Sequence, residues 1–334
     1  MVNLLFTCAG RRTYLLKYFK EQLNGEGLIV AADMQLSAPA LSVADVKCEV
    51  PSVYDDSYID AVLELCKKYT ISALISLNDL ELPILAENIT RFTEIGTRLI
   101  LSNPDVIQTC FDKYQTSSYI ESLRLLSPIT VVGYQNAIKK IEDGILKFPL
   151  ILKPRWGSGS IGIEKVVDME EFKEVYAVLK RKIKRSILAT ASEGEDYILI
   201  QEYIDGQEFG MDVMNDLDGN TIGVVVKKKL AMRAGETDKA VIVESAEIEK
   251  IGRLLGSSLR HIGNLDCDIL EKEGRFYVLE LNPRFGGGFP FTYEAGANYP
   301  KVLIELLKGN DVVSSLLKAK VGMAFAKCDY LVPV

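Results

Sequence analysis

Between Asp268 and Arg284 the chain reads Asp-Ile-Leu-Glu-Lys-Glu-Gly-Arg-Phe-Tyr-Val-Leu-Glu-Leu-Asn-Pro-Arg, the pattern of two strands joined across Glu273-Gly274. A period of two places Glu280, Asn282 and Arg284 on one face of the second strand, with Leu279 and Leu281 on the other. Asp268, on the neighbouring antiparallel strand, is placed to meet them. That gathers two carboxylates, an amide oxygen and a guanidinium. Two carboxylates about 4 Å apart repel by roughly 4 kcal/mol at an effective dielectric near 20, and a cation between them removes the conflict. Hard oxygen donors select Mg²⁺, which is commonly held by one or two carboxylates together with phosphate oxygens. The competing explanation is a salt-bridged strand pair in which Arg284 neutralises the acids. Four functional types on one face, followed by Gly286-Gly287-Gly288, are hard to derive from packing.

A second segment has phosphate-binding chemistry. Phe148-Pro-Leu-Ile-Leu-Lys153-Pro154 reads as a strand ending in a lysine, and Arg155-Trp-Gly157-Ser158-Gly159-Ser160-Ile-Gly162 follows at once. Three glycines in six residues let the backbone bend close to an anion, Ser158 and Ser160 add hydroxyl donors, and Lys153 adds a point charge. The spacing is not G-x-x-x-x-G-K-[ST], which argues against a P-loop fold. A glycine-rich hairpin turn without a ligand is the plain alternative, and Lys113 in Cys110-Phe-Asp-Lys113 taken alone is an ordinary helix lysine. The turn Thr7-Cys-Ala-Gly-Arg-Arg-Thr13, with Asp33 closing the next strand, sits where a nicotinamide domain places its cofactor. Only Gly10 stands where that fingerprint needs three glycines, so a structural strand-turn-helix is favoured. Arg11 and Arg12 oppose the helix dipole there unless an anion or carboxylate lies near.

These groups need elements to hold them. From Val2 to about Ser102 apolar strands (Asn3–Cys8, Leu28–Ala32, Ala73–Leu77, Arg98–Leu101) alternate with helical stretches such as Tyr58 to Tyr69, which predicts an open, doubly wound parallel sheet. A second region begins near Pro104. Lys147 to Pro154 and Gly162 to Val167 predict a small sheet, Met169 to Lys184 an amphipathic helix, and 186–197 a connecting loop. A third region opens with the strand Ile198–Gln201. His261, the single histidine, falls at the end of a helical stretch, which disfavours a catalytic base. The length suggests about two domains, and 48% apolar with 25% charged residues is a globular composition. A net charge of -7 without a basic stripe argues against nucleic acid, with the Lys180–Arg185 run read as a solvated helix face. The six scattered cysteines predict buried free thiols. Met1 to Gly10 is too short for a membrane span and lacks signal-peptide features, so a cytoplasmic chain without membrane contact is expected.

Taken together, these segments resemble the ATP-grasp superfamily, and more narrowly the carbamoyl-phosphate-synthase-like ligases, which include biotin carboxylase, the amine-ligating purine enzymes and the pyrrolysine-biosynthesis ligase. The resemblance runs to about Lys308. It implies an α/β fold in which a pre-ATP-grasp Rossmann-like domain (1–111) precedes a two-subdomain ATP-grasp fold: a small lid (112–197), a large subdomain with the metal site (198–310), and a tail (311–334). It implies ATP and Mg²⁺, or Mn²⁺, as cofactors, small-molecule carboxylate and amine substrates, and a homodimer as one assembly. Lys113 and Lys153 are implied as phosphate contacts and Gly157 to Gly162 as the flap over them. Gln201-Glu202-Tyr203-Ile204 resembles the adenine-binding hinge strand and Glu208 the ribose acceptor. Asp268, Glu280 and Asn282 resemble the metal ligands and Arg284 the group that stabilises the transferred phosphoryl. Many relatives have Glu or Gln where this chain has Asp268. Glu280-Leu-Asn-Pro-Arg284 continues as Phe-Gly-Gly-Gly where biotin carboxylase has Gln-Val-Glu-His, and a carbamoyl-phosphate synthase large chain holds two such units, so an amino-acid or similar carboxylate ligase fits better. Lys227, Lys229, Arg233 and Gly235-Glu-Thr237 resemble a substrate-carboxylate region, and Tyr293 and Glu294 are candidates for the amine pocket. The apolar stretch Val321–Phe325 reads as an added strand or a partner contact. The alternatives are a non-catalytic ATP-binding module, an ATP-grasp kinase and a nicotinamide oxidoreductase.

Overall fold

The computed structural model describes residues 1–157, 162–189 and 197–333. The expected ligand residues Ser158, Gly159 and Ser160, and most of the 186–197 connection, lie outside the described residues. The N-terminal unit runs β1 (Leu4–Thr7), α1 (Thr13–Leu23), β2 (Ile29–Asp33), β3 (Val46–Glu49), α2 (Tyr58–Lys68), β4 (Ala73–Ser76), α3 (Leu82–Glu87), α4 (Ile89–Glu94) and β5 (Arg98–Leu99). Its sheet has the order β3-β2-β1-β4-β5, parallel throughout, which is the doubly wound arrangement the alternating pattern predicts. Strands such as Leu-Leu-Phe-Thr are buried along their whole length, as helices on both faces require. The last strand is shorter than expected. Ile100 N still donates to Leu74 O at 2.9 Å, and the chain then turns to reach the Asn103 cap and Pro104 that open the next helix.

Next come α5 (Pro104–Phe111), α6 (Lys113–Ser122), β6 (Thr130–Val132), α7 (Tyr134–Glu142), β7 (Leu150–Pro154), β8 (Glu164–Val166), α8 (Met169–Lys184) and β9 (Ile198–Glu202). The small sheet has four strands, β6-β9-β7-β8, so Ile198–Glu202, which opens the third region in the sequence, is hydrogen-bonded into the sheet of the second. Helix α8 begins with reciprocal caps: Asp168, the N-cap, accepts from Glu171 N, and Glu171 accepts from the preceding Val167 N. The connection after α8 holds a short 3-10 turn at Ile187–Ala189 where a loop is predicted.

The remaining elements are β10 (Gln207–Asn215), β11 (Thr221–Arg233), β12 (Glu236–Val243), α9 (Ala246–Leu259), β13 (Asn264–Lys272), β14 (Arg275–Asn282), α10 (Phe289–Glu294), α11 (Tyr299–Leu307) and β15 (Ala324–Ala326). They form an antiparallel sheet of order β14-β13-β10-β11-β12-β15, in which the tail supplies an edge strand on β12. Its inner face packs on α9 and α5 through Met211, Val213, Leu255, Leu265, Cys267 and Leu281. Another cluster joins Leu4, Phe6, Leu15 and Phe19 of the N-terminal unit to Phe285, Phe289, Tyr299 and Val302, so one apolar core crosses from the parallel sheet to the C-terminal helices. Cys48, Cys66, Cys110 and Cys267 are buried free thiols, while Cys8 is half-buried and Cys328 exposed. Among the described residues no helix is long and apolar enough to cross a membrane.

Candidate active site

Strands β13 and β14 meet at a turn in which both Glu273 and Gly274 have positive φ (53° and 74°), the geometry of a two-residue hairpin that follows the strand twist. Counting back from that turn pairs Ile269 with Val278. A bulge between Asp268 and Ile269 then shifts the register, so that Asp268 lies opposite Glu280 and Asp266 opposite Asn282. Two carboxylates facing each other in a ladder repel, and the protein gives each its own cation. Lys229 Nζ lies 2.7 Å from Asp268 and 2.6 Å from Glu208. Lys113 Nζ, from the first residue of α6, reaches to 3.7 Å from Glu280 Oε1. Burial alone would lower the Lys229 pKa, but the Asp268 and Glu208 carboxylates outweigh it and hold that ammonium above its ordinary value.

The opposite wall is the small sheet. Lys153, on β7, is buried, and its ammonium donates to Gln201 Oε1 on β9 at 2.9 Å, with Gln201 in turn donating to Thr130 Oγ1. Burial pushes the Lys153 pKa down to about 8, opposed by Glu280 and reinforced by Lys113. Lys113 also donates to the Gly157 carbonyl. Gly157, at φ +99°, is in a conformation L side chains rarely adopt. The capping carboxylate of α6, Asp112, takes a two-pronged contact from Arg155 Nε and Nη2 at 2.8 and 2.7 Å, which locks the start of α6 to the end of β7. Both lysines are thus held on the side of the cleft facing Glu280. Lys113, Lys153, Gly157, Gln201, Glu280, Asp268 and Arg284 come together. Glu202 accepts from Ile129 N and Lys165 sits 3.7 Å over the Tyr203 ring, so these two are engaged within the small sheet; Ile204 is buried beside them. Gly162, at φ +72°, lies against Pro154 and Leu179.

Arg284 is almost buried and lies between two carboxylates: Asp79, from the loop after β4, at 2.8 Å, and Asp266 at 3.4 Å. Burial works against its charge, but both acids outweigh it and keep the guanidinium protonated. Burial, then the nearby Asp268, push the Asp266 carboxyl up to about 6, partly offset by Arg284. Asp266 and Asp79 were missed in the sequence. Asp266 stands two residues before Asp268 and so shares its face, a signal that was available; Asp79 had none, because its partner is 205 positions away. The glycines after Arg284 have a packing reason of their own: a Cβ on Gly286 would lie 2.1 Å from the Asp266 carboxyl, and one on Gly288 2.8 Å from Lys227 Cε. Lys227 is itself buried and paired with Asp212 and Thr292. Arg233 lies at the surface, bonded to Asp238 and Asp329. Tyr293 stacks on Tyr18 at 3.7 Å and Glu294 accepts from Tyr18 OH, so these two candidates for the amine pocket join α10 to α1. His261 follows the end of α9, fully buried, and burial pushes its pKa down to about 4, which keeps it neutral. Asp33 accepts from Gly10 N, a structural closure of the β1–α1 turn.

The residues fit a divalent cation with phosphate. Two facing carboxylates and the Asn282 amide supply two or three hard oxygens, and a small cavity lies between Lys113, Gly157, Asp79, Glu280 and Asn282. Among the described residues no three carboxylate, imidazole or thiol ligands converge on one point, so phosphate oxygens would complete such a shell.

Residues 146–292 match the model of the ATP-grasp domain, and residues 4–100 that of the PylC-like N-terminal domain. The chain thus carries, from residue 146 to 292, a segment of ATP-grasp type. More narrowly, the segment of PylC-like N-terminal type precedes the segment of ATP-grasp type along the chain. It is 22% identical over 235 residues to the carbamoyl phosphate synthase large chain of Vibrio parahaemolyticus, a match that covers 66% of this chain and 20% of that one. The chain thus spans about a fifth of the length of these curated relatives. Among solved structures it resembles an L-amino acid ligase from Bacillus licheniformis (19% identity, TM-score 0.73, covering 92% of this chain and 75% of the other). It also resembles the biotin carboxylase domain of the Hydrogenobacter thermophilus 2-oxoglutarate carboxylase, solved with MgADP, ADP and bicarbonate (16% identity, TM-score 0.73, covering 93% and 70%). At such identities the likeness to solved structures is one of fold.

Proposed function

We propose that the chain is an ATP-dependent ligase that activates a substrate carboxylate as an acyl phosphate and joins it to an amine, with an amino acid or a related small molecule as the carboxylate. The observation that carries this reading is the approach of Lys113 to Glu280, which brings the phosphate-type lysines of one wall against the paired acids of the other. The resemblance to an L-amino acid ligase and to a nucleotide-bound biotin carboxylase supports it.

Lys113 and Lys153 would neutralise phosphate oxygens, with Gln201 fixing the direction of the Lys153 ammonium. Asp268, Glu280 and Asn282 would hold Mg²⁺, which supplies charge neutralisation at the reacting phosphates when bound. Arg284 would meet the charge that builds on the transferred group. Glu208, bonded to Lys229, would accept from the ribose, and Glu202 and the backbone at Ile204 would meet adenine. The carboxylate attacks the γ-phosphorus and ADP leaves; the amine then attacks the acyl carbon, phosphate leaves, and the surplus amine proton passes to solvent. No side-chain nucleophile is required. Screening amino acids and small acids in pairs for ADP and phosphate release, with mass spectrometry of the product, tests the reading. An amide product is expected, and a stable phosphorylated product would instead make the chain a kinase. Glu280→Gln is expected to abolish turnover and the thermal stabilisation given by Mg·ATP, about 2.7 kcal/mol at a hundredfold excess over Kd in the unaltered chain. Full turnover in that variant would remove the metal assignment.

A further inference from the structure

We propose that Asp79 is a positioning residue for Arg284, and that the carboxyl end of the N-terminal sheet acts as a clamp on that arginine. This rests on the ligase reading above for the part it gives Arg284.

In an open parallel sheet the crevice beyond the strand ends, where the strand order reverses, is the usual ligand site. In this chain the reversal falls between β1 and β4. The loops leaving those two strands both reach one dipeptide, Arg284-Phe285, at the end of the acid-bearing hairpin. From the β1–α1 turn, Arg12 Nη1 donates to the Phe285 carbonyl at 2.6 Å. From the β4–α3 loop, Asp79 Oδ2 accepts from Arg284 Nε at 3.2 Å and Nη2 at 2.8 Å. The two side chains are 9% and 8% exposed, so water screens the pair weakly.

The loop that carries Asp79 is itself anchored in the crevice. Glu81, fully buried, accepts hydrogen bonds from Thr7 Oγ1 (2.9 Å), Ser76 Oγ (2.6 Å) and Tyr58 OH (2.5 Å). Those hydroxyls come from the ends of β1 and β4 and the start of α2. One carboxylate therefore ties three elements together at the place a ligand would otherwise take, two residues from Asp79. Asn78 Oδ1 adds a turn by accepting from Leu80 N.

The consequence for Arg284 is directional. Its Nε/Nη2 edge is held by Asp79, while Nη1 makes only 3.4 Å approaches to Asp266 Oδ2 and the Phe285 carbonyl. Without Asp79 the nearest carboxylate is Asp266, and the guanidinium would turn toward it and away from the cavity that Asp79 lines. Misplacing a charge-stabilising group by about 1 Å costs on the order of a hundredfold in rate.

Asp79→Ala, Asp79→Asn and Asp79→Glu, each alone and combined with Arg284→Ala, test this with two readouts. In the free protein, solvent exchange of the Arg284 Nε–H, followed by NMR, is expected to be slow in the unaltered chain and in Asp79→Glu, and roughly tenfold or more faster in Asp79→Ala. With a substrate pair that releases ADP, Asp79→Ala is expected to lower kcat about 10- to 100-fold with KM for ATP nearly constant, and to add nothing in the Arg284→Ala background. Unchanged Nε–H exchange in Asp79→Ala, or fully additive losses in the double variant, would overturn the clamp. If the unaltered chain released no ADP with any pair, the ligase reading would fall, and the exchange measurement would still decide whether Asp79 holds Arg284.

Discussion

Lys153 combines burial with a charge that a phosphate would need, and the two pull in opposite directions. In the folded chain it loses its proton near pH 8, against 10.5 for an ordinary lysine. Below about 8 the ammonium is charged in both folded and unfolded chains. Between the two values only the unfolded chain keeps the proton, so the stability contributed by this site rises with pH while its hold on phosphate falls. The expected outcome is that kcat/KM for ATP declines as pH rises through about 8, since that ratio reports groups of the free enzyme. Lys153→Arg should move this limb to higher pH, and Lys153→Met should remove the matching rise in stability; a pH-rate profile beside denaturant titrations checks both. An unshifted limb in the arginine variant would mean that another group titrates there.

At the level of elements, the hairpin β13–β14 and the glycines after it determine what the acids can do. Regular pairing from the turn would set Asp268 opposite Leu279 and send it to the face away from Glu280; the one-residue bulge brings the two carboxylates together. The backbone after Arg284 then runs directly over the Asp266 carboxyl, with no room for a side chain at Gly286. Gly286→Ala is accordingly expected to cost about 1–3 kcal/mol, by overpacking, and to reduce turnover by displacing Asp266. Gly274→Ala, in open space at φ +74°, should cost only the backbone strain, about 1 kcal/mol, with turnover kept. Urea midpoints and turnover for the pair make the comparison. Equal activity loss in both would place the effect in the hairpin as a whole.

For the molecule as a whole, the apolar cluster running from Leu4 and Phe6 to Phe289 and Val302 joins the N-terminal sheet to the C-terminal helices. Phe285 sits within it, 2% exposed, edge-on to Phe289 at 4.7 Å and to Phe19 at 5.8 Å. It is also the residue next to Arg284, so core packing and the proposed chemistry share one turn of chain. Phe285→Ala is expected to destabilise by about 3–5 kcal/mol and to lower the unfolding temperature of the N-terminal sheet along with the rest. Differential scanning calorimetry reads this directly, with one transition expected in both chains. A separate early transition in the variant would show that the sheet is held by other contacts.

Much of this was written along the chain. The parallel sheet, the hairpin and the four buried thiols follow from periodicities of two and 3.6 and from residue chemistry, which are local properties that a linear reading can detect. The face shared by Glu280 and Asn282 is local in the same sense. Other features were decided only when the chain closed on itself. The pairing of Arg284 with Asp79, of Lys229 with both Glu208 and Asp268, and of Arg155 with Asp112 joins residues far apart in sequence, and nothing in the neighbourhood of one names the other. The same holds for Tyr293 and Glu294, whose contacts with Tyr18 on α1 only the packing of α10 against α1 creates. Which carboxylates face each other depended on a single bulge, because side-chain direction reverses with every residue of register, and only the assembled sheet fixes that count.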